Sequence, residues 1–251
     1  MSGRLVVVGL GPGAPGMLTP DATHALVAAT DLVGYGPYLD RVPARPGQLR
    51  HASDNRAELD RARAALGLAA QGHHVAVVSG GDPGVFAMAS AVFEAIEAGP
   101  AAWRALDVAV LPGITAMLAA AARLGAPLGH DFCAISLSDN LKPWPVVLRR
   151  LQAAASAGFV MALYNARSRA RPDQLAGALD ALRAILPPST PVAFASAISR
   201  PDESIAVSTL AHADPAQADM RTLVLIGSPE TRVIERPGTA PWLYTPRGLA
   251  A

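Results

Sequence analysis

Short apolar runs of four to seven residues alternate along this chain with longer segments of helical period. That alternation admits few architectures, because strands separated by helices build sheets covered by helices, an α/β protein. The first half predicts strands at Leu5–Val8, Asp31–Gly34, Val75–Val78 and Val108–Leu111. Between them, a helix opens at Thr19-Pro20-Asp21, a good N-cap followed by proline at the first helical position. A second helix is expected over Arg56–Gln71, capped by Ser53-Asp54 and closed by Gly72, and a third over Val85–Ala98; an alanine-rich helix follows Thr115. The second half predicts strands near Phe132–Leu137, Phe159–Tyr164, Val192–Ala197, Ser204–Ser208 and Leu223–Ile226, with helices at Val146–Ala157 and Pro172–Leu186. Ser199-Arg200-Pro201-Asp202-Glu203 reads as a hairpin turn, so this half should hold a mixed sheet. The texture changes at Gly125–Gly129, which places two domains at 1–128 and 129–251, with the tail from Pro237 wrapping the surface.

The strand ends carry the functional signal. Val75–Val78 runs into Ser79-Gly80-Gly81-Asp82-Pro83-Gly84-Val85-Phe86, leaving a carboxylate where open α/β sheets bind ligands. The first strand ends in Gly9-Leu10-Gly11-Pro12-Gly13 and the fourth in Pro112-Gly113-Ile114-Thr115. Singly, each is an ordinary way to leave a strand. Three such turns in one domain point to a pocket that backbone, rather than side chain, must enter. Gly9–Ala14 also satisfies G-x-G-x-x-A, but the dinucleotide fingerprint needs a helix opening directly at the turn. Pro12, Pro15 and Gly16 occupy that place, and no acid follows at the ribose spacing. A dinucleotide-dependent oxidoreductase is therefore a rival reading.

An apolar fraction of 51% supports a substantial core, and a net charge of +1 gives no electrostatic case for nucleic acid. The one cysteine, Cys133, excludes a disulfide framework, and the six histidines show no chelating pattern, so no metal is expected. The longest apolar run, Ile114–Ala122, falls short of the roughly 20 residues of a membrane span. Met1-Ser2-Gly3 leads straight into strand pattern without a leader, so a cytoplasmic protein is expected. The chain has one lysine, Lys142, among 21 basic residues.

In order and spacing, Gly9-x-Gly11-Pro12-Gly13, Gly80-Gly81-Asp82-Pro83 and Pro112-Gly113-x-Thr115 resemble the tetrapyrrole (uroporphyrinogen, precorrin and diphthine) methyltransferase family, and the likeness covers essentially the whole chain. Gly34–Leu39, Ser136–Trp144 and Leu163-Tyr164-Asn165 are similar to members that methylate a precorrin at carbon 17, although Asn165 is followed by Ala166 where the family carries proline. The resemblance implies two α/β domains of the tetrapyrrole methylase fold with a cofactor cleft between them. It implies S-adenosyl-L-methionine as cofactor, a small-molecule tetrapyrrole (precorrin-3B, contracted to precorrin-4) as substrate, and a homodimer without nucleic-acid or membrane partners. A cobalt-bearing substrate, another target carbon and a non-enzymatic carrier stay open. The implied cofactor contacts are Pro12, Gly80, Gly81, Asp82, Val85, Phe86, Thr115, Ala116, Tyr164, Asn165, Ala197 and Thr222. On the substrate side stand Gly11, Tyr35, Tyr38, Ser136, Asn140 and Arg200, with Arg41, Arg167 and Arg169 as further forks for its carboxylates. Ring contraction moves protons, for which Asp139, Lys142 and Asp54 are candidates.

Overall fold

The structure of the protein, a computed structural model, describes residues 3–54 and 57–248. Met1-Ser2 and the expected helix start at Arg56 lie outside the described residues. The chain divides into two compact units, Met1–Thr115 and Ala116–Ala251.

The first unit runs β1 (Arg4–Gly9), α1 (Pro20–Ala28), β2 (Asp31–Tyr35), α2 (Gly36–Leu39), β3 (Leu49–Ser53), α3 (Glu58–Ala70), β4 (His74–Ser79), α4 (Met88–Ala98) and β5 (Asp107–Leu111). Its five strands form one parallel sheet in the order β3-β2-β4-β1-β5. β1 and β4 lie inside it and are buried on both faces, which is why they read as unbroken apolar runs. Alternate residues serve opposite layers: Leu5, Val7, Val75 and Val77 pack on α3 and α4, while Val6, Val8 and Val78 pack with Ala22 and Leu26 of α1. α1 begins as expected, with Thr19 Oγ1 accepting the Ala22 N–H at 3.2 Å.

The expected N-cap at Ser53-Asp54 is corrected. Ser53 ends β3, and α3 starts at Glu58 with Ala57 at its cap and no side-chain bond there. β3 escapes a hydropathy reading because Leu-Arg-His-Ala-Ser lies at the sheet edge, where solvent reaches its residues. The helix expected from Val85 also begins later, at Met88, because the preceding loop keeps Phe86 and Ala87 out of helical conformation.

At the amino end of β2, the Asp31 side chain is 1% exposed and accepts from Thr30 Oγ1 at 2.7 Å. It also bonds His51 Nε2 and His73 Nδ1, each at 2.8 Å. Burial pushes this carboxyl up, but the bonds from Thr30, His51 and His73 outweigh it and hold it below its ordinary value. A depressed carboxyl adds stability above its unfolded-state range, and that contribution is lost as pH falls through the folded value. Asp31→Ala should therefore cost about 1–3 kcal/mol at neutral pH and flatten the acid limb of a denaturation profile. An unchanged profile would show that the half-exposed imidazoles draw nothing from the carboxylate.

The second unit runs α5 (Ala116–Leu124), β6 (Gly125–Ala126), β7 (Phe132–Ser136), α6 (Trp144–Ser156), β8 (Val160–Tyr164), α7 (Gln174–Arg183), β9 (Pro191–Ser196), β10 (Ser204–Thr209), β11 (Thr222–Ile226), β12 (Arg232–Ile234) and β13 (Trp242–Tyr244). Its main sheet, ordered β10-β9-β11-β8-β7, is mixed: β7 and β8 are parallel and the other pairs antiparallel. Leu151 of α6 and Leu175, Leu179 and Leu182 of α7 close its core over Met161, Leu163, Phe194 and Val224. The tail does not merely wrap the surface, since β13 pairs with both β12 and β6. α5 packs on β11 and β13, which is why the units divide at Thr115 rather than near residue 128. Among the described residues no helix is long and apolar enough to cross a membrane.

Candidate active site

Because β4, β1 and β5 are neighbours, their three glycine turns come side by side at the carboxyl ends of the strands. Gly11 and Gly81 exchange backbone hydrogen bonds at 3.1 and 2.9 Å. Asp82 Oδ1 accepts the Gly84 N–H at 2.8 Å, and Oδ2 accepts the Gly113 N–H at 3.0 Å, stitching the second turn to the third. A Cβ on Gly113 would lie 2.2 Å from the Gly81 carbonyl oxygen and 3.0 Å from Gly9 backbone, so only glycine permits the approach. Tyr38 lies against Gly80, where a Cβ would fall 2.7 Å from the ring, and Tyr35 meets Tyr38 edge-on at 5.5 Å.

Two arginines brace the backbone of this unit, one of them at the first turn. Arg41 Nη2 donates to the carbonyls of Leu10 and Gly11 at 2.8 and 2.9 Å, so this fork holds the first turn. Arg61, which no sequence motif marks, is 5% exposed and donates to Ser53 Oγ at 2.8 Å, the Asp54 carbonyl at 2.6 Å and Met88 Sδ at 3.2 Å. Burial lowers its pKa. It ties the end of β3 to the start of α4. A short 3-10 turn at Pro15–Met17 and a helix starting only at Pro20 leave no helix N-terminus on Gly9–Ala14, so the dinucleotide reading lacks its phosphate cradle.

In the second unit the sequence candidates also gather at one sheet end. Ser136 and Tyr164 close the parallel strands β7 and β8, Ala197 follows β9, and Thr222 opens β11 opposite Ser196. Asn165 Nδ2 donates to Ser136 Oγ at 2.9 Å, and the Tyr164 hydroxyl accepts the Met117 N–H at 3.0 Å, fixing the first turn of α5 beside Ala116. Thr222 Oγ1 donates to Asp219 at 2.8 Å and lies 2.6 Å from Ser196 Oγ. Burial raises the Asp219 carboxyl, but bonds from Thr222 and Arg221 carry it below its ordinary value.

Backbone strain marks the same places. Among the described residues four non-glycines have left-handed φ: Phe86 (52°), Asn165 (53°), Ala197 (49°) and Ser199 (60°). Three of them are sequence candidates for the cofactor, and such strain persists where surrounding structure imposes it, often at ligand sites. Phe86 is also 49% exposed.

The acid–base candidates fall in different units. Asp54 is exposed after β3, whereas Asp139, Asn140 and Lys142 occupy the loop between β7 and α6. Gln174 Nε2 donates to Asp139 Oδ2 at 3.1 Å. Partial burial, and then the nearby Arg150 charge, push the Lys142 ammonium below its ordinary pKa. Arg167 and Arg169 lie after β8 beside the Ser168–Arg171 bridge, and Arg200 lies in the β9–β10 hairpin.

The fold is that of an α/β protein with glycine turns at its strand ends, and the chain belongs to the tetrapyrrole (corrin/porphyrin) methylases, whose family pattern matches residues 4–214. It is 61% identical over 250 residues to a precorrin-3B C(17)-methyltransferase of Sinorhizobium sp, covering 100% of this chain and 98% of that protein. It is 50% identical over 236 residues to the cobalamin biosynthesis protein CobIJ of Mycobacterium bovis, spanning 92% of this chain and 46% of that longer protein. The crystal structure of the methyltransferase CobJ superposes with a TM-score of 0.93 at 53% identity, covering 98% of this chain and 100% of that one.

Proposed function

We propose that this enzyme transfers a methyl group from S-adenosyl-L-methionine to carbon 17 of precorrin-3B, with ring contraction to precorrin-4 in cobalamin biosynthesis. The observation that carries the reading is the end-to-end 61% identity to a protein of that name. The site chemistry agrees. Methyl transfer from a sulfonium to an electron-rich carbon is an in-line displacement that releases S-adenosylhomocysteine and needs no nucleophilic side chain. Orientation supplies its rate, worth roughly 7–11 kcal/mol for well-placed partners. A close-packed main-chain floor at Gly11, Gly81 and Gly113 suits such a task, and the donor carries no phosphate for a helix N-terminus to hold. By the family likeness, the enzyme works as a cytoplasmic homodimer.

Ring contraction moves protons, and we assign Lys142 to it, the one lysine of a chain otherwise basic through arginine, in the loop that follows β7. Lys142→Ala should leave S-adenosylhomocysteine affinity within about twofold while methylated, uncontracted product accumulates. Full conversion to contracted product would remove the role. For the reaction itself, metal-free precorrin-3B and S-adenosylmethionine should yield a product one methyl heavier with an altered macrocycle spectrum. Turnover of the cobalt-bearing substrate alone would move the enzyme to that branch. A bound nicotinamide or flavin without methyl transfer would overturn the reading.

A further inference from the structure

Two of the left-handed residues, Ala197 and Ser199, stand two positions apart in the turn after β9. Neither is glycine, so their backbone must be imposed from outside. One carboxylate bonds the turn at Ser199. Glu203 Oε2 accepts the Ser199 N–H at 2.5 Å, while Oε1 accepts Arg123 Nε, from the last turn of α5, at 2.9 Å. Backbone bonds complete the turn: Arg200 N–H to the Ala197 carbonyl at 2.9 Å and Glu203 N–H to the Arg200 carbonyl at 3.0 Å. On the other side, the Ala197 N–H donates to the Arg221 carbonyl at 3.2 Å, and the Arg221 guanidinium pairs with Asp202 and Asp219. Asp219 in turn accepts from Thr222. Neither Glu203 nor Arg123 was among the residues that the family resemblance assigns to a ligand.

We propose that Glu203, held by Arg123, is a positioning residue for cofactor binding, fixing Ser199 in its left-handed form and with it the adjoining turn in which left-handed Ala197 meets the donor. The proposal rests on the reading of Ala197 as a cofactor contact. The Glu203 side chain is three-quarters covered and its two oxygens serve two partners, so its direction is set before any ligand arrives. Without it the Ser199 N–H loses its acceptor and the turn relaxes toward ordinary φ. Ligand binding must then restore the strained form, which lowers affinity.

The test is calorimetric titration with S-adenosylhomocysteine, paired with donor KM and kcat. Glu203→Ala should weaken binding about tenfold and raise donor KM in step, with kcat at saturating donor changing far less. Arg123→Ala should give a smaller loss. Glu203→Gln should match Arg123→Ala, because its amide oxygen can still accept from Ser199 while its NH2 cannot accept from Arg123. Unchanged affinity in Glu203→Ala overturns the proposal, as does an equal loss in Glu203→Ala and Glu203→Gln. Should Glu203→Ala fail to fold, unchanged affinity in Arg123→Ala overturns it. If the unaltered protein binds no S-adenosylhomocysteine, the methyltransferase reading fails first.

Discussion

Gly113→Ala should cost at least about 3 kcal/mol of stability in the first unit, the upper end for overpacking, and abolish measurable S-adenosylhomocysteine binding. The new methyl would stand 2.2 Å from the Gly81 carbonyl oxygen, and backbone of Gly9 lies 3.0 Å away on another side. A flexible side chain could swing aside. Here the obstacles are the main chains of two neighbouring turns, themselves joined through Gly11 and Gly81. Relief would require β5 to draw away from β1, breaking the parallel ladder between them. Thermal denaturation and ligand titration check both parts. A variant that melts and binds like the original would mean that the turns separate at no cost.

Asp82→Ala should weaken cofactor binding at least tenfold, or about 1.4 kcal/mol. The family resemblance implies Asp82 as a contact of the cofactor, which carries a sulfonium cation. In the structure both oxygens already hold backbone N–H groups, of Gly84 and Gly113. Charge-assisted bonds of this kind contribute about 1.5–3 kcal/mol each, and removing them frees the second turn from the third. The two roles separate experimentally. Loop positioning predicts equal losses for S-adenosylmethionine, a sulfonium, and S-adenosylhomocysteine, a neutral thioether. Direct pairing with the sulfonium predicts a larger loss for the methyl donor. Wild-type affinity for both would remove Asp82 from the site altogether.

The strands read most plainly are those buried on both faces. β1 and β4 are apolar on both faces, so hydropathy alone locates them. β3 is invisible to the same test, because an edge strand of Leu-Arg-His-Ala-Ser has no apolar run. The residues of the site divide in the same way. Glycines and the Gly-Asp-Pro turn stand out because a cluster of such residues at a strand exit is visible without knowing what it meets. The contacts of arginine and glutamate do not: Arg41, a candidate fork for substrate carboxylates, instead reaches back 31 residues to the Leu10 carbonyl, Arg61 reaches 27 residues on to Met88, and Glu203 pairs with Arg123, 80 residues away.

What the amino-acid order alone determined was local: alternating strands and helices, three bare turns at strand ends, and motifs that resemble those of the tetrapyrrole methylases. Which turns meet was decided by the strand order β4-β1-β5, because only lateral pairing brings Gly9, Gly81 and Gly113 into van der Waals collision range. The same holds for the turn after β9, whose left-handed backbone depends on a carboxylate oriented by a helix from much earlier in the chain. Local propensity acts within a few residues. Hydrogen bonds and excluded volume act wherever folding brings atoms together, and no reading of adjacent residues contains that information.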